Sequence, residues 1–315
     1  MKVYLGIGAA VLTVLALVSV YSFVSTRFFT PQRTVTGYLD ALVAGDADEA
    51  MSYLLPVGEG EGTGSEWRML LTSEVLNHEG YREPANIVVG EVTGEEDVRV
   101  VPVSFEIDGA EHAMEFTVRR SEAKTLGLFR GWLIDGGLAP LEIFAPAAAP
   151  VTVNGVTMPP ESGGFLAFPG GYRVSVVDNP LLQGRDVTAV AVGGGNPVQL
   201  TVTLKDSARA EVEAQVKSFV DECAKSTDLE PTGCPFAAFA IEPIANVKWT
   251  VTTYPTLNLT VNPQTGTVNV TTTRSGRADV TGTYSSDGTA YNRSDTFSVS
   301  GTAVVADGKV RLNRR

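Results

Sequence analysis

Asp97–Arg120 reads DVRVVPVSFEIDGAEHAMEFTVRR, and apolar and polar residues take turns along it on both sides of Asp108-Gly109. A period of two sends successive side chains to opposite faces of a pleated strand, and an Asp-Gly pair suits a tight hairpin turn. The stretch therefore predicts two antiparallel strands. NIVVGEV (86–92) before it and LFRGWLIDG (128–136) after it keep the alternation, which predicts a curled antiparallel meander. The same alternation assigns Val88, Val101, Phe105 and Phe116 to the inner face.

Upstream the period changes from two to helical. In TPQRTVTGYLDALVAGDADEAMSYL (30–54), Val35, Tyr38, Leu39 and Leu42 recur at helical spacing and Asp46 is placed to cap a second short helix. A turn, GEGEGTG (58–64), leads to another apolar-periodic stretch, EWRMLLTSEVL (66–76). Helices followed by a meander predict an α+β cone over residues 31–145.

Farther upstream, VYLGIGAAVLTVLALVSVYSFVST (Val3–Thr26) holds no charged residue. As a helix it would span about 36 Å, enough for a hydrocarbon core of about 30 Å. The exit, VYSFVSTRFF, lacks the small-x-small pattern of a cleaved signal, so an uncleaved anchor in residues 1–30 is favoured over a cleaved signal. The anchor runs through Val3, Leu12, Leu15 and Val24. Lys2 precedes it and Arg27 and Arg33 follow, so the positive-inside count is nearly tied.

The cysteines break that tie. Phe219–Ala240 reads FVDECAKSTDLEPTGCPFAAFA and contains Cys223 and Cys234, the two cysteines of the 315-residue chain. Their C-x10-C spacing is not the paired spacing of a zinc site, and only His78 and His112 exist to complete a ligand set. A nucleophilic thiol wants a nearby histidine, and both lie more than 100 residues upstream. Helix-like sequence up to Cys223, then Pro231, Gly233 and Pro235, predicts a chain reversal that a disulfide can clip. Such a bond persists in an oxidising compartment. Lys2 is therefore expected inside the cell, with everything after the single span outside.

Charge narrows the partners. The 24 basic and 36 acidic residues are uneven: residues 31–145 hold 21 acidic against 8 basic, whereas 206–315 hold 12 against 11. An acidic surface without a basic stripe disfavours nucleic acid. It serves solubility or, as a sharper alternative, docks something cationic.

Residues 146–205 read as short strands: APVTVNGVTM with an Asn154-Gly155 hairpin turn, GFLAFPGGYRVSVVD, DVTAVAV and VQLTVTL. They predict a small all-β module. Residues 206–315 then start with SARAEVEAQVKSFVDECA, a helix, followed by Thr- and Val-rich strands. The expected whole is a multidomain α+β protein: anchor, cone, small β-sandwich module, and a helix with an antiparallel meander.

Three resemblances attach to these residues. PQRTVTGYLDALVAGDADEAMSYL, with the tryptophan of GWLIDGG, resembles the nuclear-transport-factor-two-like superfamily, in particular a bacterial branch of anchored envelope proteins. The pairing of VTVNGV with FPGGYRVSVV resembles the PEGA-type module of bacterial surface proteins. Helix, clip and Trp249-bearing strand are similar to C-terminal domains of a glycopeptide-resistance-associated envelope family, although the cytoplasmic zinc ribbon usual there is replaced here by Met1 and Lys2. Some members of the first superfamily are isomerases or dehydratases that use a carboxylate or histidine inside the cone, and Asp40, His78 and His112 are the available groups.

Other motifs carry little chemistry. Ser121-Glu-Ala-Lys124 matches S-x-x-K but is expected in a turn, without a K-T-G strand. Asp46-Ala-Asp48-Glu49 lacks the glycine and final glutamate of a calcium loop, and Gly193–Gly195 lacks the helix of a phosphate loop. Asn258-Leu-Thr, Asn269-Val-Thr and Asn292-Arg-Ser match the glycosylation triplet, which Thr-rich strands generate by chance. No catalytic set, metal site or cofactor is assigned. Two functions follow: a non-catalytic envelope protein that binds a protein or wall polymer, or a small-molecule isomerase, dehydratase or carrier using the cone interior. The topology is directly testable. In intact cells an external protease should digest the chain beyond Arg33, and protection of those residues would reverse the orientation.

Overall fold

The computed structural model describes Ser19, Phe23, Arg27 and residues 29–56, 68–125, 129–147, 149–158, 164–194 and 197–314. This part is mixed but strand-rich, with several antiparallel sheets. Among the described residues no helix is long and apolar enough to cross a membrane. Val3, Leu12, Leu15 and Val24 lie outside the described residues. The chain divides into two compact units: Met1–Phe144 with Thr152–Val174 and Asp186–Gln199, and Ala145–Val151 with Ser175–Arg185 and Leu200–Arg315. The segment 146–205 contributes to both.

In the first unit, helix α1 (Pro31–Val43) starts where the Thr30 hydroxyl accepts from the Arg33 amide at 3.3 Å and Pro31 takes the first helical position, which needs no amide donor. It buries Val35, Tyr38, Leu39, Ala41 and Leu42. Asp46 caps α2 (Ala47–Ser52) by accepting from Glu49 N at 2.9 Å, and Thr72 caps α3 (Ser73–Leu76). Strands β1 (Ala85–Val89), β2 (Thr93–Glu95), β3 (Val98–Ile107), β4 (Ala110–Thr125) and β5 (Phe129–Asp135) form one antiparallel sheet in the order β1-β3-β4-β5, with β2 also on β3. The β3–β4 hairpin closes at Ile107↔Ala110, with Asp108 and Gly109 at φ of 50° and 77°. Leu54 extends this sheet by pairing in parallel with Ile134, its flanking residues exchanging backbone bonds with Ile134 at 2.8 Å.

The alternation holds on β3 and β4 and fails on β1. Val101, Phe105 and Phe116 are at most 1 % exposed, whereas Val88 is 61 % exposed. The reason is a bulge. Ala85 pairs with Glu106 but Val88 with Ser104, one residue out of step, and Asn86 takes a φ of 50° there. One extra residue turns every later side chain over, so Val88 faces outward opposite Ser104 while Val89 lies opposite the buried Val103. Ser121–Lys124, expected in a turn, lies inside β4, where the pairing with β5 shifts register between Arg120 and Lys124.

The strands that follow are β6 (Ala139–Leu141), β7 (Ile143–Phe144), β8 (Val151–Val153), β9 (Val156–Thr157), β10 (Phe165–Ala167), β11 (Gly170–Val176), β12 (Leu182–Gly184), β13 (Val187–Ala191), β14 (Val198–Gln199) and β15 (Val202–Leu204). They form a sheet β13-β11-β8-β9 and the pairs β6–β10, β7–β14 and β12–β15, of which β7–β14 is parallel. Asn154 and Gly155 make the β8–β9 turn, both with positive φ. Asn154 is 2 % exposed: its Oδ1 accepts from Arg173 N at 2.8 Å, and its Nδ2 donates to Val75 O at 3.3 Å. Arg82 and Gly171 exchange two backbone bonds of 2.8 Å. These contacts join residues before β1 to the later strands within the first unit.

Its core is completed by tyrosines whose hydroxyls reach backbone carbonyls. Tyr38 donates to Gly137 O at 2.5 Å, Tyr81 to Pro169 O at 2.9 Å and Tyr172 to Phe168 O at 2.8 Å. The Tyr81 and Tyr172 rings meet edge-on at 5.4 Å. Gly170 is required beside them, because a Cβ there would come within 2.5 Å of the Tyr81 ring.

The second unit is organised by α4 (Asp206–Cys223) and strands β16 (Ile244–Thr253), β17 (Thr256–Val261), β18 (Val268–Arg274), β19 (Gly276–Tyr284), β20 (Ala290–Phe297), β21 (Gly301–Ala306) and β22 (Lys309–Arg314). The strands form two antiparallel sheets, β16-β19-β20 and β17-β18-β21-β22. The chain changes sheet at Tyr254-Pro255, at Ser275 and at Ser298–Ser300. Ala208 and Val212 of α4 pack with Leu259, Val268, Val270, Ala303 and Val310 of the four-stranded sheet. Val216, Val220 and Cys223 pack with Trp249, Ala278, Val280, Tyr291 and Phe297 of the other.

The buried tyrosines set an alkaline limit for the first unit. Burial holds the phenols of Tyr38, Tyr81 and Tyr172 well above the ordinary value of about 10. Because the folded state keeps these protons and the unfolded state releases them, their contribution is fully present below about pH 10 and is lost as pH rises beyond it. Tyrosinate absorbance of these residues should therefore rise in one cooperative step together with loss of tertiary circular dichroism. Gradual ionisation of a still-folded unit would contradict this.

Candidate functional site

After Cys223 the chain leaves the helix, reverses, and returns along the second unit as an irregular segment, Pro235–Pro243, with sequence PFAAFAIEP. Its fixation starts at the disulfide. Cys223 and Cys234 are bonded with an S–S distance of 2.04 Å and a Cα–Cα distance of 5.7 Å, eleven residues apart in sequence. The Cys234 amide donates to Pro231 O at 3.1 Å, and Gly233 supplies the positive φ of the reversal. Phe236 then enters the core, with ring centroids 4.7 Å from Trp249 and 5.4 Å from Phe297. The Trp249 indole N–H donates to Asp228 O at 2.8 Å.

Beyond Phe236 the backbone is held at Ala237, Ala238, Phe239 and Pro243. Ala237 N donates to an Asp295 carboxylate oxygen at 2.9 Å, Ala238 N to Leu229 O at 2.8 Å, the Tyr291 hydroxyl to Phe239 O at 3.0 Å, and Ser285 N to Pro243 O at 2.9 Å. This strap lies beside β20, an outer strand of its sheet, and meets it through the Tyr291 and Asp295 side chains rather than a strand ladder. Two large apolar side chains remain outside: Phe239 is 82 % and Ile241 94 % exposed. Between the strap and the β19–β20 hairpin runs a groove of about 490 Å³ lined by Phe239, Ile241, Glu242, Tyr284, Asp287 and Arg293.

The groove has a charge polarity. At the hairpin tip, Glu242 accepts from the Ser286 hydroxyl at 2.6 Å, and Asp287 accepts from the Thr289 amide and hydroxyl at 2.9 and 2.8 Å. These bonds, the amide first, hold the Asp287 carboxyl below its usual range, so it is ionised at neutral pH. Farther along β20, the Arg293 guanidinium lies 5.7 Å from the Tyr291 ring centroid. The Tyr284 and Tyr291 rings meet edge-on at 5.7 Å. The groove thus sets two exposed apolar side chains beside hydrogen-bonded carboxylates and an arginine.

The other expected residues lie elsewhere. Asp40 is exposed on α1, and the His78 Nδ1 accepts from Gly80 N at 3.0 Å. His112 faces Phe105 across the β3–β4 hairpin, ring centroids 6.4 Å apart, and its buried Nε2 has no partner. Among the described residues no group of three or more His, Cys, Asp or Glu is placed to hold a metal ion. Sequence reasoning located the clip but missed the strap. Its signal was an apolar run, FAAFAI, between prolines, with neither strand nor helix period.

No family model, curated protein or solved structure matches the chain.

The clip and strap make a stability prediction. Replacing both cysteines by serine should lower the stability of the second unit by about 2–4 kcal/mol and leave the first unchanged. Hydrogen exchange resolved by peptide separates the two. Equal loss of protection in both units, or free thiols found by alkylation before reduction, would refute it.

Proposed function

We propose that the protein is a single-pass component of the cell envelope, N-terminus cytoplasmic and folded units outside, that acts by binding a protein or wall polymer and not by turnover. The anchor reading rests on the uncharged Val3–Thr26 run, and the exported reading on a disulfide that needs an oxidising compartment. The binding reading rests on one observation: Phe239 and Ile241 stand exposed on a segment that follows a disulfide and is hydrogen-bonded on either side of Ile241, at Phe239 and Pro243. The bonds at Phe239 and Pro243 meet part of the ordering cost before a partner arrives, which favours affinity.

The finer architecture belongs to the same proposal. Helices before an antiparallel sheet whose last strand carries Trp132 support the cone and its likeness to the nuclear-transport-factor-two-like superfamily. The β8–β9 turn and β11 support the PEGA-like reading, and α4 with its clip supports the likeness to the glycopeptide-resistance-associated family. A second reading, a small-molecule enzyme or carrier in the first unit, is favoured by the unpartnered Nε2 of His112 on the inner face.

Retention on purified cell-wall material and on envelope proteins tests the binding reading. Phe239→Ser with Ile241→Ser should weaken retention at least about tenfold, because burying one such side chain is worth about 1.5–3 kcal/mol. Unchanged retention would reject the strap as the contact. A small-molecule turnover abolished by His112→Gln would favour the second reading instead.

A further inference from the structure

We infer that the strap groove is where two copies of this chain meet, related by a two-fold axis. The inference rests on the reading of the strap as a binding surface and names its partner. A two-fold contact sets the same patch against itself, so the patch must be complementary to its own rotated image. This one is. Its centre is apolar, formed by Phe239 and Ile241 beside Tyr284. One end is acidic, with Asp287 at the hairpin tip and Glu242 of the strap bonded to Ser286 there; toward the other end stands Arg293, two residues beyond Tyr291 on β20, while the neighbouring Asp295 is turned to the strap amide of Ala237. A two-fold axis through the apolar centre brings the Arg293 of each copy to the Glu242 and Asp287 of the other. Both charge contacts form at once and flank a buried aromatic and aliphatic centre.

Other occupants fit less of the patch. An anionic lipid surface or acidic polymer is repelled by the two carboxylates. A saccharide has use for the Phe239 face and the polar rim but leaves Ile241, the most exposed large apolar side chain of the groove, without a role. Residues 206–315 hold 12 acidic and 11 basic side chains, a net charge of −1 that scarcely opposes a second copy, whereas residues 31–145 hold 21 against 8.

The test uses the full chain in detergent, with mass followed by sedimentation over a concentration series. Arg293→Glu removes the cation of the groove, and Glu242→Arg with Asp287→Arg reverses the charge of its acidic end. The wild type should form dimers, and each charge variant alone should associate at least tenfold more weakly. Mixing the two variants should restore a dimer containing one of each, within about threefold of wild-type affinity, which no unfolded variant could do. Dimers that persist in both variants, or a mixture that stays monomeric, would overturn the inference. A wild type that is monomeric throughout would also overturn it, while its retention on wall material or another envelope protein would leave the proposed function standing.

Discussion

The second unit depends on one stripe of side chains, Ala208, Val212, Val216 and Val220, spaced four apart along α4. At 3.6 residues per turn, each step of four advances the stripe about 40°, roughly 120° over its length. The stripe therefore winds around the helix, and its two halves face different directions. Ala208 and Val212 meet the four-stranded sheet, and Val216 and Val220 meet the three-stranded one. A stripe kept on one side of the helix could not serve two sheets. β-branched valine suits the role because its side chain loses little freedom on packing between a helix and a pleated surface.

With two sheets come outer strands, whose unpaired backbone groups invite association with other chains. Three of the four, β22, β20 and β16, are handled in different ways. On β22, the Gln215 carboxamide accepts from Leu312 N at 3.0 Å and donates to Val310 O at 2.8 Å, standing in for a strand residue. On β20 the strap is fastened by Tyr291 and Asp295. β16 carries two register shifts against β19, which twist its outer edge away from flat pairing. In the first unit Leu54 closes part of β5 by a parallel bridge. Of these devices the strap also displays large apolar side chains, Phe239 and Ile241, and the proposed binding role rests on that combination.

Much of this was legible in the sequence, for identifiable reasons. Period-two alternation gave β3 and β4, because both strands pair without interruption from Val98↔Arg119 to Ile107↔Ala110. The Asn154-Gly155 turn was legible because positive φ restricts residue choice, and the clip because two cysteines leave one pairing. Val88 was misassigned because a bulge at Asn86 carries no apolar signature and yet inverts everything after it. The division of 146–205 between two units was hidden because it depends on side chains such as Asn154 and Tyr81 finding distant carbonyls. The strap escaped notice because its order comes from hydrogen bonds to residues tens of positions away.

The short separation of the clip has a kinetic consequence. Cys223 and Cys234 are 11 residues apart, whereas the pairings that join one hairpin to another, such as Trp249 with Val280 and Val270 with Gly301, are about three times farther. Loops of about ten residues close in roughly 10–100 ns, long before antiparallel sheets of high contact order assemble. The thiols therefore meet early and often, whereas their oxidation takes seconds to hours, so the sheets have time to form around the pair before it is joined. Once made, the bond holds Phe236 where it meets Trp249 and Phe297. The short loop keeps each thiol within reach of its own partner throughout, and the bond then acts as a lock on the helix and its strap.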